Sequence, residues 1–451
     1  MNEDRSSRPG VSLITATAVV VANMIGTGVF TSLGFQVADI PSGFAIVMLW
    51  TVGGVCAFCG ALAYGELAAA LPRSGGEYHF LSRIFHPAVG FVAGWLSSTV
   101  GFAAPIALAA MAFGNYFQGI FPQTSAVQLS IGVSVAVTII HLFGINVAAR
   151  FQNLATWGKV TLILTFIVAG ALFASGQPVS FLPAAGDGTL MTSKPFAVSL
   201  VYVMYSYAGW NAATYITGEI RDPSRNVPKA IALGTGLVTL LYVALNAVFL
   251  YAAPMGELAG KQQVGHVAAD FIFGKLGGNL MSGLICLGLV SSISAMTWVG
   301  PRVTMAMGQD LVLLRPFAKK TAGGVPIVSL LFQIGIVVTL LLTSSFEPVL
   351  KYVQFSIQLC SFATVVGLMV LRWTQPDLPR PVRCWGYPVT PLLFLGISLW
   401  MLVFLLIESP LQSLAGLATI LVGLLLYALS PKADKANQSK CSASEVNHCN
   451  K

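Results

Sequence analysis

The chain has 451 residues, of which 56% are hydrophobic and only 9% charged. A soluble domain carries about 25% charged residues, so most of this surface cannot face water, and many apolar runs reach the roughly 20 residues that a helix needs to cross a bilayer. The net charge of +8 would suit a nucleic-acid partner, but the charges follow the membrane instead, and the weak ten-residue alternation of an outer-membrane barrel is missing.

The chain opens on a polar segment, MNEDRSSRPG, and the first apolar run is too long for the h-region of a cleavable signal peptide. Apolar runs then predict spans at 12–36, 43–71, 88–117, 127–146, 152–175, 195–219, 228–253, 276–304, 325–344, 347–372, 388–407 and 411–430. Twelve crossings place both ends on one side. The loops of that side hold Arg5, Arg8, Arg73, Arg83, Arg150, Arg221, Arg225, Lys229, Arg302, Arg315, Lys319, Lys320, Arg372, Arg380, Arg383 and four lysines of the tail, 19 of the 24 basic residues. The opposite loops hold Lys194, Lys261, Lys275 and Lys351. This is the positive-inside pattern, and it predicts two cytoplasmic ends. The loops are too short for a soluble domain, so residues 1–430 read as one membrane unit, followed by a polar tail, 431–451, expected to be disordered. Cys56, Cys59, Cys286 and Cys360 fall in spans and Cys384, Cys441 and Cys449 on the cytoplasmic side, so no structural disulfide is expected.

Two spans carry their own interruption. The first breaks at Gly26-Thr27-Gly28, with Asn23 beside it. The sixth breaks in VYVMYSYAGWNAATYITGEI, where Ser206, Ala208, Gly209 and Asn211 crowd the middle of an apolar segment. A single such break is equally the mark of close helix packing. Two breaks five crossings apart run in opposite directions, which points to an inverted-repeat transporter with a site at the midplane; the repeats are expected at about 12–175 and 195–372. Unwound backbone at that depth must be buried in protein or line a wet cavity.

The breaks have a definite chemistry. The second half of span one begins near Gly28 with free N–H groups and a partial positive charge, a carboxylate site that glycine lets a ligand approach closely. The first halves of spans one and six end near Met24 and Tyr205 with carbonyls that favour a cation. An α-amino acid zwitterion uses both, whereas a purely cationic amine leaves the amides idle.

At these residues the chain resembles an amino acid permease of the amino acid–polyamine–organocation superfamily, in its L-amino-acid-transporter-like branch and of prokaryotic type. The resemblance rests on NMIGTGVF, YGELAAALPRSGGEYHFL, YSYAGWNAATYITGEIRDPSRNVPKAI and GPRVTMAMGQD. It implies an all-α membrane protein of 12 transmembrane helices, the LeuT-type 5+5 inverted repeat plus two C-terminal helices, with helices 1 and 6 broken, in a plasma membrane such as the bacterial inner membrane. It also implies a carboxylate site at Thr27 and Gly28 with Gly26 in the unwound turn, ammonium-binding carbonyls at Met24, Tyr205 and Ala208, and Gly209 in the second break. Tyr205 stands where relatives place an aromatic gate, although a mid-chain tyrosine is also common at the membrane interface. Asn211 stands where relatives handling cationic substrates have an acid, and with no acid expected in the pocket a neutral substrate is favoured.

Lys159 is the one charge deep within a span, and such a group is functional by default unless it snorkels. The resemblance places its ammonium where sodium-coupled members bind their ion, which argues against sodium coupling and leaves proton symport or exchange. Glu66, Arg73, Glu77, Glu219 and Arg221 are candidates for one cytoplasmic gate network or for an ordinary interfacial cluster. His141 is a lone polar group best read as packing, and Pro105 and the Met111 region of span three are candidate pocket walls or a simple kink. Two departures stand out: Asp310 is followed by Leu311 rather than Gly, and residues 115–127 lack the cysteine through which heterodimeric animal relatives bond a heavy chain, so no such disulfide-linked partner is expected.

The chain is thus expected to carry L-amino acids, neutral ones, by alternating access, as a sodium-independent exchanger or a proton-coupled symporter. The alternatives are a polyamine or organic-cation permease and, with only a short tail to signal through, a non-transporting amino acid sensor. Enzyme activity, cofactors and metals are not expected, since no nucleophile–base pair, metal-ligand spacing or phosphate loop is present.

Overall fold

The computed structural model describes residues 10–430 apart from 144, 322 and 344, and the backbone only of 145–149. Arg5, Arg8, Cys441, Cys449 and the predicted tail lie outside the described residues.

Each apolar run folds as helix, and polar caps set the ends. Ser12 accepts from the Thr15 amide to start α1 (Leu13–Met24), which α2 (Gly28–Gln36) continues after a break. Ser42 caps α3 (Gly43–Ala70) in the same way. A short amphipathic helix, α4 (Glu77–Ile84), follows, then α5 (Pro87–Leu96), which opens on a proline whose missing N–H costs nothing there. Between α5 and α6 (Ala103–Ile120) the turn Ser97–Gly101 widens to a π-helix, a feature the apolar pattern did not announce. The Phe102 amide donates to Ser97 O at 3.1 Å across this turn, and Pro105, four residues beyond Gly101, has no N–H to offer the Gly101 carbonyl.

The chain goes on through α7 (Ala126–Leu142) and α8 (Ile145–Phe173), which begins well before the predicted start at 152. The short α9 (Asp187–Met191) precedes α10 (Lys194–Tyr207), where Ser193 caps and Pro195 sits in the first turn. After the second break a 3₁₀ helix, Ala212–Glu219, leads to α11 (Pro223–Ala252) and the single turn α12 (Met255–Leu258). Helix α13 (Val264–Asp310) is 47 residues long and kinks at Gly274, whose φ of 73° suits glycine; the predicted eighth span is the part after the kink. At its end Leu311 caps in an extended conformation and a 3₁₀ turn follows before α14 (Arg315–Ala318). The last helices are α15 (Ile327–Thr343), α16 (Phe346–Thr374), α17 (Val389–Glu408) and α18 (Pro410–Leu429).

Among the described residues, nine helical stretches are long and apolar enough to cross a membrane, with α1 and α2 counted together, and α7 and α15 are apolar but shorter. Exposed leucines and valines along α8, α17 and α18 form the apolar exterior of a multi-pass membrane protein. The broken pair is different: its window is 89% buried. Helix α1 is wrapped by α8, α11 and α13, and α2 by α10, so the interruption lies at the centre of the bundle. Val11 and Ile220 form a parallel bridge that ties the start of α1 to the end of the 3₁₀ helix.

Candidate functional site: a cavity between two broken helices

Helix α1 stops because the chain folds back on itself: the Gly26 amide donates to Met24 O at 2.8 Å. Helix α2 then begins at Gly28, and the amides of Thr27, Gly28 and Val29 have no carbonyl partner among the described residues. Helix α10 stops two residues before Gly209, which takes a φ of 96°. A Cβ on Gly209 would stand 2.8 Å from Asn23 O, so the two breaks touch and only glycine fits between them.

All eight residues expected at the substrate site, Met24, Gly26, Thr27, Gly28, Tyr205, Ala208, Gly209 and Asn211, line one cavity. Pro105 lines it too, whereas Met111 packs against the core outside it. Leu96, Phe102, Ala109, Met296, Ile357 and Cys360 make most of the remaining wall apolar. The glycines of the first break differ in what surrounds them. Nothing lies closer than 4.0 Å to a Cβ built on Gly26, which leaves it open to a ligand. A Cβ on Gly28 would stand 2.6 Å from Ser206 Cα, so Gly28 serves the crossing of α2 and α10 as well. Tyr205 is inside rather than at an interface, 8% exposed, with its hydroxyl 3.4 Å from Thr27 Oγ1.

The carbonyls are not all free. Met24 O, expected to meet an ammonium, accepts both the Gly26 amide and the Tyr242 hydroxyl, the latter at 2.6 Å. The same hydroxyl lies 3.1 Å from Ser206 O, so one tyrosine of α11 spans the carbonyl ends of both broken helices. The carbonyls of Asn23 and Ala208 accept no hydrogen bond among the described residues and are the better acceptors on offer. Tyr242 was not anticipated; its signal was a tyrosine in mid-run, away from the interfaces where tyrosines gather.

Lys159 does not reach for the bundle end. It is 3% exposed, and its ammonium donates to Ile25 O at 2.6 Å, to Ser292 Oγ at 2.8 Å and to Ala22 O at 3.4 Å. It therefore holds carbonyls at the end of α1, as Tyr242 does with Met24 O. His141 is buried and pairs with Ser294 Oγ at 2.9 Å, a packing role.

The five gate candidates do not form one network, because neighbours in sequence at one end of a bundle face different helices. Glu66 is buried and held by Arg372, Arg380 and the Cys384 amide. Arg73 pairs with Asp310 at 2.7 Å, and Glu219 with Arg302 at 3.1 Å. The Arg221 main chain pairs with Val11 and Asn226. Glu77 goes elsewhere altogether. The turn Gly75-Gly76, with φ of 121° and 54°, aims the start of α4 inward, and Glu77 lines the cavity at 1% exposure. This corrects the expectation that no acid reaches the pocket. Tyr64 Oη and Asn211 Nδ2 each donate to Glu77 Oε1 at 2.8 Å, and the Tyr215 hydroxyl donates to Oε2. Burial pushes the Glu77 carboxyl above the ordinary range, and the hydrogen bonds from Tyr215, Tyr64 and Asn211 pull it back.

Two broken helices crossing around a central cavity, in a bundle with an apolar exterior, fit the class of multi-pass membrane transporters. The family model described as amino acid permease matches residues 11–429, and the chain belongs to that family. It is 28% identical to the large neutral amino acids transporter small subunit 2 of Oryctolagus cuniculus, over 93% of this chain and 80% of that one. It is 27% identical to the Asc-type amino acid transporter 1 of Mus musculus over the same shares. The b(0,+)-type amino acid transporter 1 of Mus musculus is 25% identical, over 93% of this chain and 87% of that protein.

Proposed function

We propose that the protein carries neutral L-amino acids across a plasma membrane by alternating access. One observation carries this: the free amides of Thr27 and Gly28 share a largely apolar cavity with the unpaired carbonyls of Asn23 and Ala208. The amides bind the substrate carboxylate, the carbonyls its ammonium, and the apolar wall of Phe102, Ala109, Met296 and Ile357 receives an uncharged side chain. The names of the relatives, two of which specify neutral or Asc-type amino acid transport, agree with it. Glu77 does not revive a cationic substrate, because donors from Tyr64, Tyr215 and Asn211 already occupy its oxygens.

The order of elements supports twelve crossings in the LeuT-type arrangement: a 5+5 inverted repeat over about 12–175 and 195–372 plus two closing helices, with residues 1–430 as one unit. The distribution of Lys and Arg supports two cytoplasmic ends. Lys159 donates to the carbonyls at the end of α1, which supports a carrier that works without sodium, as an exchanger or with protons.

Uptake of labelled L-alanine into proteoliposomes tests this. Competition by neutral amino acids but not by putrescine is expected, with no dependence on sodium; competition by putrescine alone overturns it. Uptake that needs internal amino acid marks exchange, and uptake driven by a pH gradient alone marks symport.

A further inference from the structure

Glu77 differs from the other buried carboxylate at this end of the bundle. Glu66 is held by two arginines, but the hydrogen-bond partners of Glu77 among the described residues are all neutral donors. Tyr215 belongs to the 3₁₀ helix and Asn211 stands at its N-cap, and both are cavity residues. What Glu77 does to Asn211 follows from donor and acceptor arithmetic. A carboxamide carries two N–H donors on one side and an acceptor oxygen on the other, and a carboxylate only accepts.

Asn211 Nδ2 donates to Glu77 Oε1 at 2.8 Å and lies 3.4 Å from Tyr215 Oη. Turning the amide over would set Oδ1 against a carboxylate oxygen at the same 2.8 Å, acceptor against acceptor, so Glu77 dictates the orientation. The backbone of Asn211 is pinned as well, since the Thr214 hydroxyl and amide both donate to its carbonyl, at 2.8 and 2.9 Å. Both amide hydrogens are thereby used on the protein. Oδ1 has no partner among the described residues and is not sealed away from the cavity that Asn211 lines. Ser97 and Ser356 also line the cavity, but a hydroxyl both donates and accepts, whereas Asn211 Oδ1 only accepts.

We propose that Glu77 is a positioning residue for specificity: by consuming the Asn211 amide hydrogens it fixes Oδ1 as a hydrogen-bond acceptor in the cavity, which favours neutral amino acids whose side chain donates a hydrogen bond. Hydroxyl and carboxamide side chains satisfy Oδ1, whereas an aliphatic side chain leaves it buried and unpaired once the cavity closes, and a carboxylate side chain meets an acceptor. This rests on the cavity being the carrier's amino acid site.

L-Threonine and L-valine have nearly the same shape and differ by a hydroxyl in place of a methyl. A wholly apolar wall favours valine; with Oδ1 accepting, threonine is favoured, by about fivefold for one net hydrogen bond. The test is competition of each against labelled L-alanine uptake into proteoliposomes of the full chain, with wild type, Glu77→Gln and Asn211→Leu compared. In Glu77→Gln the new amide can donate to Oδ1, Asn211 turns, and the threonine-to-valine ratio falls about fivefold or more; in Asn211→Leu it falls likewise because the acceptor is gone. The ratio is read only from protein that transports, so a loss of folded carrier lowers the rate without moving it. Valine preferred by wild type, or a ratio unmoved in Glu77→Gln, overturns the proposal. Wild type that carries no neutral amino acid at all overturns the function from which it follows, a different result from a carrier with the wrong ratio.

Discussion

Gly26 and Gly28 stand two residues apart and look alike in sequence, yet their surroundings separate them. An alanine at Gly26 meets open cavity, so its stability should be that of wild type while the apparent KM rises by about tenfold, the scale of one misplaced methyl group in a binding pocket. An alanine at Gly28 drives its Cβ to 2.6 Å from Ser206 Cα, backbone that cannot rotate away. That variant should lose about 2 kcal/mol by overpacking, and trimming Ser206 should not restore it. Thermal melts in detergent beside uptake kinetics separate the two, and equal melting losses for both would refute the distinction. The first break was legible because glycines and a threonine interrupt an apolar run; which glycine faces the ligand was not, since that depends on where α10 crosses. Glu77 was illegible as a cavity residue for a similar reason. Its motif lies between spans, and only the backbone conformation of Gly75-Gly76 turns it inward.

At the scale of elements, the half-helices are held less by their own sequence than by side chains brought from elsewhere. Lys159 of α8 and Ser292 of α13 converge on Ile25 O, and Tyr242 of α11 on Met24 O and Ser206 O. Tyr242→Phe keeps the ring and its edge contact with Trp50 but removes the shared hydroxyl. One hydroxyl lost beside two buried carbonyls should cost about 1–3 kcal/mol, seen as a lower melting temperature, together with slower uptake. Unchanged melting and uptake would mean that water or a neighbour replaces it. The π-turn before Pro105 was likewise invisible in the apolar pattern, which counts residues and not the hydrogen bonds that a proline removes.

For the whole molecule, the sequence carried the class and its helical, membrane-spanning character well, because in lipid an apolar run has few options but a helix. Lateral position was the blind spot. Glu66, Arg73, Glu219 and Arg221 share one end of the bundle, as their basic neighbours suggested, but each answers to a different partner. Sidedness remains a clean prediction from charge. With a single cysteine placed at Lys194 or at Lys320 of an otherwise cysteine-free chain, a membrane-impermeant thiol reagent on intact cells should label the first only, and the second after permeabilisation. The reverse pattern would invert the molecule.

The shared hydroxyl of Tyr242 has one more consequence. Two levers pinned on one pivot behave as a single lever, so neither half-helix swings while the other stays put. A molecule with independent levers can open both doors at once and let solute slip through uncounted. On the alternating-access reading proposed above, that shared oxygen, with the Ser32–Ser206 contact beside it, would make the two doors take turns.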